Sequence, residues 1–125
     1  MVVMDVWTAC FVDSKYSMTP EEVARLTSAY QEIGLDVNLQ DLHTEDEIIA
    51  ACGHTDVLLC NGNPPISRKV LKLLPDVKVV QRFGIGVNSV DLEAAAEYGV
   101  VVLNQPGISV QELSVHTTGL ILDLL

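Results

Sequence analysis

Val77-Lys-Val-Val-Gln81 runs directly into Arg82-Phe83-Gly84-Ile85-Gly86-Val87-Asn88-Ser89-Val90-Asp91. The first five residues read as a short apolar strand, rich in valine. Two glycines one residue apart then make a turn in which bare backbone can approach a ligand. Asp91–Tyr98 follows as a short helix, closed by Gly99. Strand, glycine turn and helix in this order are half of a βαβ unit, which places the chain among α/β proteins.

The same alternation extends in both directions. Upstream, Val6–Val12 reads as a buried strand ending at Asp13. Thr19-Pro20-Glu21-Glu22 is a helix start with hydroxyl cap, proline at the first helical position and glutamate at the third. Val23, Leu26, Tyr30 and Ile33 recur at helical spacing until Gly34. Leu35–Gln40 alternates apolar and polar residues as a strand. Thr44-Glu45-Asp46-Glu47 is a second capping box, and its helix is expected to stop at Gly53. Asp56–Cys60 is a third strand, and Asn61-Gly62-Asn63-Pro64-Pro65 is a loop by composition. Ser67 is read as the cap of a helix through Leu74. The fourth strand is Val77–Arg82, the fifth Val100–Leu103, and a last helix runs from about Ser109. Strands alternating with helices give a parallel sheet covered on both faces. Five of them suggest a flavodoxin-like three-layer domain with strand order 2-1-3-4-5. In such sheets ligands bind beyond the carboxyl ends of the strands. The Asn61–Pro65, Gly84–Asn88 and Asn104–Gly107 loops all leave that edge.

Composition narrows the function. The 125 residues are 49% hydrophobic, enough for one well-filled core. A formal charge of −10, from 17 acidic and 7 basic residues, argues against nucleic-acid binding, because no basic stripe exists to displace counterions from phosphates. Cys10, Cys52 and Cys60 are odd in number and show no C-x-x-C spacing. They are read as reduced, buried thiols of a cytoplasmic protein. No apolar stretch approaches the roughly 20 residues that span a bilayer, and the N-terminus is not built like a signal peptide. No His/Cys/Asp cluster has metal-ligand spacing, so no metal is expected.

The Gly84-x-Gly86 turn admits three readings. A dinucleotide loop would need a third glycine where Ser89 stands, and a first βαβ unit with an acidic residue further on. A plain strand-to-helix turn needs glycine only for its backbone angles. A carboxylate cradle would use backbone N–H groups near a helix start, with Arg82 as a planar fork. Other chemistries of this topology find no support. A phospho-receiver pattern has aspartate after the third strand and lysine after the fifth, where this chain has Asn61 and Asn104. A flavodoxin phosphate loop would need glycine after the first strand, but Asp13-Ser-Lys-Tyr-Ser-Met18 has none.

Arg82–Asp91, then Leu-Glu-Ala-Ala-Ala-Glu-Tyr-Gly99, Val-Val-Val-Leu-Asn104 and Gln-Pro-Gly107, resembles the D-isomer-specific 2-hydroxyacid dehydrogenases. That family includes phosphoglycerate, D-lactate and glyoxylate/hydroxypyruvate enzymes and the C-terminal-binding-protein corepressors. The likeness is close over Thr55–Leu125 and holds in pattern over the first half. It implies a substrate domain, here residues 1–107, an interdomain helix at 108–125, and a Rossmann NAD domain that comes after that helix in sequence. It implies further that a small 2-hydroxy or 2-keto acid is held at Ile85 and Gly86 by backbone amides, with Arg82, Gly84 and Asn61 lining the same cleft. Ile85 and Leu113 would approach the nicotinamide end of NAD. The family's catalytic arginine, glutamate and histidine would lie downstream of position 125, leaving no catalytic residue here. Asn88 stands where many relatives carry aspartate, and Val115 replaces a common acidic residue.

The three histidines are not expected to supply the missing chemistry. His43 and His54 flank helix boundaries as surface residues, and His116 lies on the interdomain helix in a structural or interface role. That helix is apolar nearly all round from Leu120 onward, which calls for burial on more than one side. Without a glycine stop or basic last turn it reads as a fragment's end, frayed or packed on another chain, for instance in a homodimer through 109–125. The primary expectation is therefore a fragment of an NAD-dependent dehydrogenase, inactive alone. A non-catalytic interaction module of corepressor type, and a plain α/β domain with a degenerate site, are the alternatives.

Overall fold

A computed structural model of the chain describes residues 6–13 and 18–125. Five strands and five helices alternate: β1 (Trp7–Phe11), α1 (Pro20–Glu32), β2 (Leu35–Leu39), α2 (Glu45–Ala51), β3 (Val57–Cys60), α3 (Arg68–Leu73), β4 (Val79–Arg82), α4 (Leu92–Glu97), β5 (Val101–Leu103) and α5 (Val110–Asp123). The strands form one parallel sheet in the order β2-β1-β3-β4-β5, as the sequence pattern predicts. The segment compared above with a flavodoxin phosphate loop falls largely at 14–17, outside the described residues.

Alternation along the strands makes the layers, because successive side chains leave opposite faces of a sheet. Cys10, Leu58, Cys60 and Val80 point to one face, where Ile48 and Cys52 from α2, Val70 and Leu71 from α3, and Ala94 and Ala95 from α4 bury them. Ala9, Phe11, Val37, Val57 and Leu59 point to the other, against Leu26 and Tyr30 of α1. All three cysteines are buried and free.

The helix starts follow local chemistry. Thr19 accepts from the Glu22 amide while the Glu22 carboxylate accepts from the Thr19 amide at 2.7 Å. Thr44 and Glu47 repeat the arrangement on α2. Asp91 caps α4 by accepting from the Ala94 amide at 2.8 Å. Three expectations are corrected. Ser67 stands at the cap of α3 but makes no capping bond, and its hydroxyl is buried without a partner. The helix expected to stop at Gly53 closes at Cys52, whose amide donates to Ile48. The fourth strand begins at Val79 rather than Val77, because the Val77 amide is still tied to Leu74 in the preceding turn.

α5 is fully helical through Asp123, yet none of its residues is buried. Leu113, Leu120, Ile121 and Leu122 are each more than half exposed. The burial that its apolar composition calls for is not found among the described residues. No helix among the described residues is long and apolar enough to cross a membrane.

Candidate functional site

In a parallel sheet every strand ends at the same edge, so the loops after β1, β3, β4 and β5 gather there. β1 and β3 are neighbours, and the strand order reverses between them. Beside that switch point lies a cavity of about 470 Å³ lined by Asp13, Asn61, Gly62, Asn63, Arg82, Gly86, Asn88 and Ser89.

Among the described residues, Arg82 is the one cation of the lining. The side chain turns back over its own strand end and Nη1 donates to the Phe83 carbonyl at 3.1 Å. Gly84 makes that path possible: a β-carbon at 84 would lie 1.2 Å from Nη1. On the other side, a β-carbon at Gly62 would touch Ser89 Oγ at 3.4 Å and Arg82 Nη2 at 3.5 Å. The guanidinium is thus sandwiched between two glycines. Its Nε and the Ser89 hydroxyl are both buried and have no hydrogen-bond partner among the described residues. Polar atoms left so inside a protein cost free energy unless something binds them.

The turn after Arg82 is held at its ends and open in its middle. The Phe83 amide donates to Cys60, the Gln105 amide to Gly84, and Asn104 Nδ2 to the Ile85 carbonyl at 2.8 Å. The Val90 and Asp91 amides are likewise taken, by Val87 and Ile66. The Ile85 and Gly86 amides find no acceptor among the described residues. Unused amides next to a guanidinium make a concavity that favours an anion.

Asp13 is the residue that sequence reasoning passed over. It is 2% exposed, and its carboxylate accepts from the Asn61 amide at 2.8 and 2.9 Å and from the Gly62 amide at 3.1 Å. Cys60, wholly buried under these groups, has its thiol pushed up to about 12, by burial first and the Asp13 charge second, with Arg82 pulling the other way. It is therefore a packing group and not a nucleophile at neutral pH.

Of the residues marked from sequence, the structure brings Asn61, Arg82 and Gly86 together on one cavity, with Gly84 directly beneath the guanidinium. Ile85 is half exposed on the turn and lies outside the lining, as does Leu113 on α5. His43 and His54 are exposed and sit near Asp41 and Asp76; His116 is exposed on α5. None of the three lines the cavity. No cluster able to hold a metal ion occurs among the described residues.

The sequence model of the D-isomer-specific 2-hydroxyacid dehydrogenase catalytic domain matches residues 10–117. The chain belongs to this family. Among relatives of this 2-hydroxyacid dehydrogenase domain, the D-3-phosphoglycerate dehydrogenase of Methanocaldococcus jannaschii is 33% identical over 92 residues, 74% of this chain and 17% of that protein. The hydroxypyruvate reductase of Thermotoga maritima is 30% identical over 88 residues, 70% of this chain and 28% of that protein. A structure of the pyruvate reductase of Chlamydomonas reinhardtii superposes with a TM-score of 0.68 at 27% identity, covering 95% of this chain and 35% of that one. The NAD+-bound 3-phosphoglycerate dehydrogenase of Entamoeba histolytica shares the fold, with a TM-score of 0.72 at 19% identity over 83% of this chain and 34% of that one. The domain thus spans about a sixth of the Methanocaldococcus jannaschii enzyme and about a third of the Entamoeba histolytica one, 17% and 34%.

Proposed function

We propose that this domain holds the carboxylate of a small 2-hydroxy or 2-keto acid for hydride exchange with NAD in a dehydrogenase. The observation that carries the reading is the open pair of amides at Ile85 and Gly86 beside the Arg82 guanidinium, whose Nε is buried and unpartnered. A carboxylate would satisfy them together: two oxygens accept from a planar fork or from neighbouring amides with good geometry. Ser89 and the Asn61, Asn63 and Asn88 side chains would then meet the rest of a polar substrate.

NAD, when bound, supplies the hydride acceptor. The residues present fit only its nicotinamide end. Ile85 and Leu113 offer exposed apolar surface, and within these 125 residues no G-x-G-x-x-G turn follows a strand to cradle a pyrophosphate. Among the described residues, the cavity lining likewise holds no histidine or lysine to move a proton. The domain's own task is thus binding and orientation, and by itself it should show no turnover with 2-keto acids and NADH. The binding claim is tested by titrating oxalate into the chain and following its amide resonances. Saturable shifts at Ile85 and Gly86 are expected; their absence at saturating oxalate would favour a degenerate site.

A second reading draws on α5. Its exposed leucines and isoleucine fit a surface that packs on protein, whether a nucleotide-binding domain or a second copy, and the alternative to the enzymatic reading is an interaction role of corepressor type. Binding partners recovered through α5, with no oxalate response, would support that alternative. The three buried reduced thiols fit a reducing compartment, and we place the protein in the cytoplasm.

A further inference from the structure

The loop after β3 carries an anion-binding arrangement of its own, and the chain fills it internally. The amides of Asn61 and Gly62 converge on one point at the switch between β1 and β3, with the Asn63 amide at a longer 3.4 Å. In an open α/β sheet this crevice is where a ligand from solvent would sit. Here the Asp13 carboxylate, from the end of β1, occupies it. The carboxylate is fixed from behind: the Val12 amide donates to Leu59, the Leu42 amide donates to Val12, and Asp13 itself pairs with Asp41 in an isolated bridge. The Asn61 side chain closes the arrangement by reaching back to the Asp13 carbonyl.

That loop faces the guanidinium across the cavity. Gly62 has φ +134°, a conformation that L residues rarely adopt, and its Cα faces Arg82 and Ser89 across the cavity. A β-carbon at 62 would reach only ordinary van der Waals contact with them, so the loop lines the cavity opposite Arg82 without pressing on it. We propose that Asp13 is a positioning residue of the ligand cleft: by clamping the Asn61–Gly62 amides it fixes the loop that lines the cleft opposite Arg82. This rests on the carboxylate reading given above and adds to it a residue that acts through the loop it anchors.

The consequence is a coupling across the switch point, from β1 through the β3 loop to the β4 turn. Asp13→Asn keeps the shape but replaces one acceptor oxygen with an N–H group that would face the Asn61 or Gly62 amide. The loop should then lose its anchor while the core beneath remains. Gly62→Ala disturbs the same loop from the other side, because its φ of +134° strains any L residue, and it leaves the Asp13 carboxylate in place.

Oxalate titrations of the wild-type chain, Asp13→Asn and Gly62→Ala, read at the Gly86 amide and Arg82 Nε resonances, test the proposal. Hydrogen exchange of the Gly62 amide is measured alongside. The expected result is wild-type binding weakened roughly three- to tenfold in both variants, with faster Gly62 exchange in Asp13→Asn and native resonances elsewhere. A folded Asp13→Asn that binds oxalate like wild type overturns the proposal and leaves the carboxylate reading standing. Should Asp13→Asn not fold, undiminished binding by Gly62→Ala overturns it equally, since the loop wall would then not matter to the ligand. A wild-type chain that binds no oxalate overturns the carboxylate reading and this proposal together.

Discussion

The guanidinium of Arg82 lies across Gly84 so closely that a β-carbon at 84 would sit 1.2 Å from Nη1. No rotamer adjustment of one atom relieves such an overlap, so Gly84→Ala must expel the guanidinium from its place. The backbone of the turn is tied on both sides, through Phe83 to Cys60 and through Gly84 to Gln105, and cannot yield cheaply. Gly84→Ala should therefore abolish the oxalate response at Gly86 and lower stability by about 1–3 kcal/mol, the range for overpacking a tight site. A titration beside a urea melt checks both. Unchanged binding would show that Arg82 does not hold the anion.

Much of this was legible because it is periodic or local. The capping boxes at Thr19 and Thr44 need only residues three apart, and the sheet order follows from alternating strands and right-handed crossovers. The glycine turn was visible as a site because Gly84, Gly86 and Arg82 are neighbours in sequence. Asp13 was not, because its partners are 48 and 49 residues away and a charged residue ending an apolar strand reads as a simple stop. The available signal was an acidic residue at a carboxyl edge facing an Asn-Gly-Asn loop across the switch point. Ser67 failed in the opposite sense: its local pattern fits a cap, but tertiary packing buries its hydroxyl without a partner.

Thr44 and Glu47 satisfy the first turn of α2 reciprocally, and the Glu47 carboxylate also accepts from the His43 amide at 2.6 Å. α2 is short, seven residues, and is anchored by Ile48, which is completely buried. So short a helix depends on its cap more than a long one does. Thr44→Ala should cost about 1 kcal/mol, read as a lower urea midpoint at unchanged slope. Ile48→Ala, which opens a cavity in the larger core cluster, should cost about 2–5 kcal/mol.

Cys60 gives the domain an alkaline limit. Its thiol ionises near 9.0 when the chain is unfolded and is pushed up to about 12 in the fold, by burial and then by the Asp13 charge. Below pH 9 both states keep the proton and stability is intact. Between the two values the unfolded state binds fewer protons than the folded one, so stability falls with rising pH, by at most about 1.4 kcal/mol per unit for one group. Urea midpoints at about pH 8 and about pH 10.5 should show this fall. Cys60→Ala should flatten it, leaving only the part due to Cys10, whose thiol is also raised through its contact with Cys52 and by burial. An equally steep loss in Cys60→Ala would mean that another group carries the alkaline limit.

Val110, Leu113 and Leu120 on α5 and Leu124 at its C-cap recur at the three- and four-residue spacing that makes a stripe along a helix, interrupted only by Thr117. All four are more than half exposed, and Leu124 is 87% exposed. Replacing two of them by charge, Leu113→Glu with Leu120→Glu, removes no contact that the fold uses. The urea midpoint should therefore stay within about 0.5 kcal/mol of wild type. Association is a different matter. An apolar stripe of this length in water is expected to pair with another, and sedimentation velocity of the wild-type chain should show a concentration-dependent dimer that the double variant lacks. A clear fall in stability of the variant would instead mean that α5 folds back onto its own domain. A wild-type chain that stays monomeric at every concentration would remove the second copy as occupant of this surface.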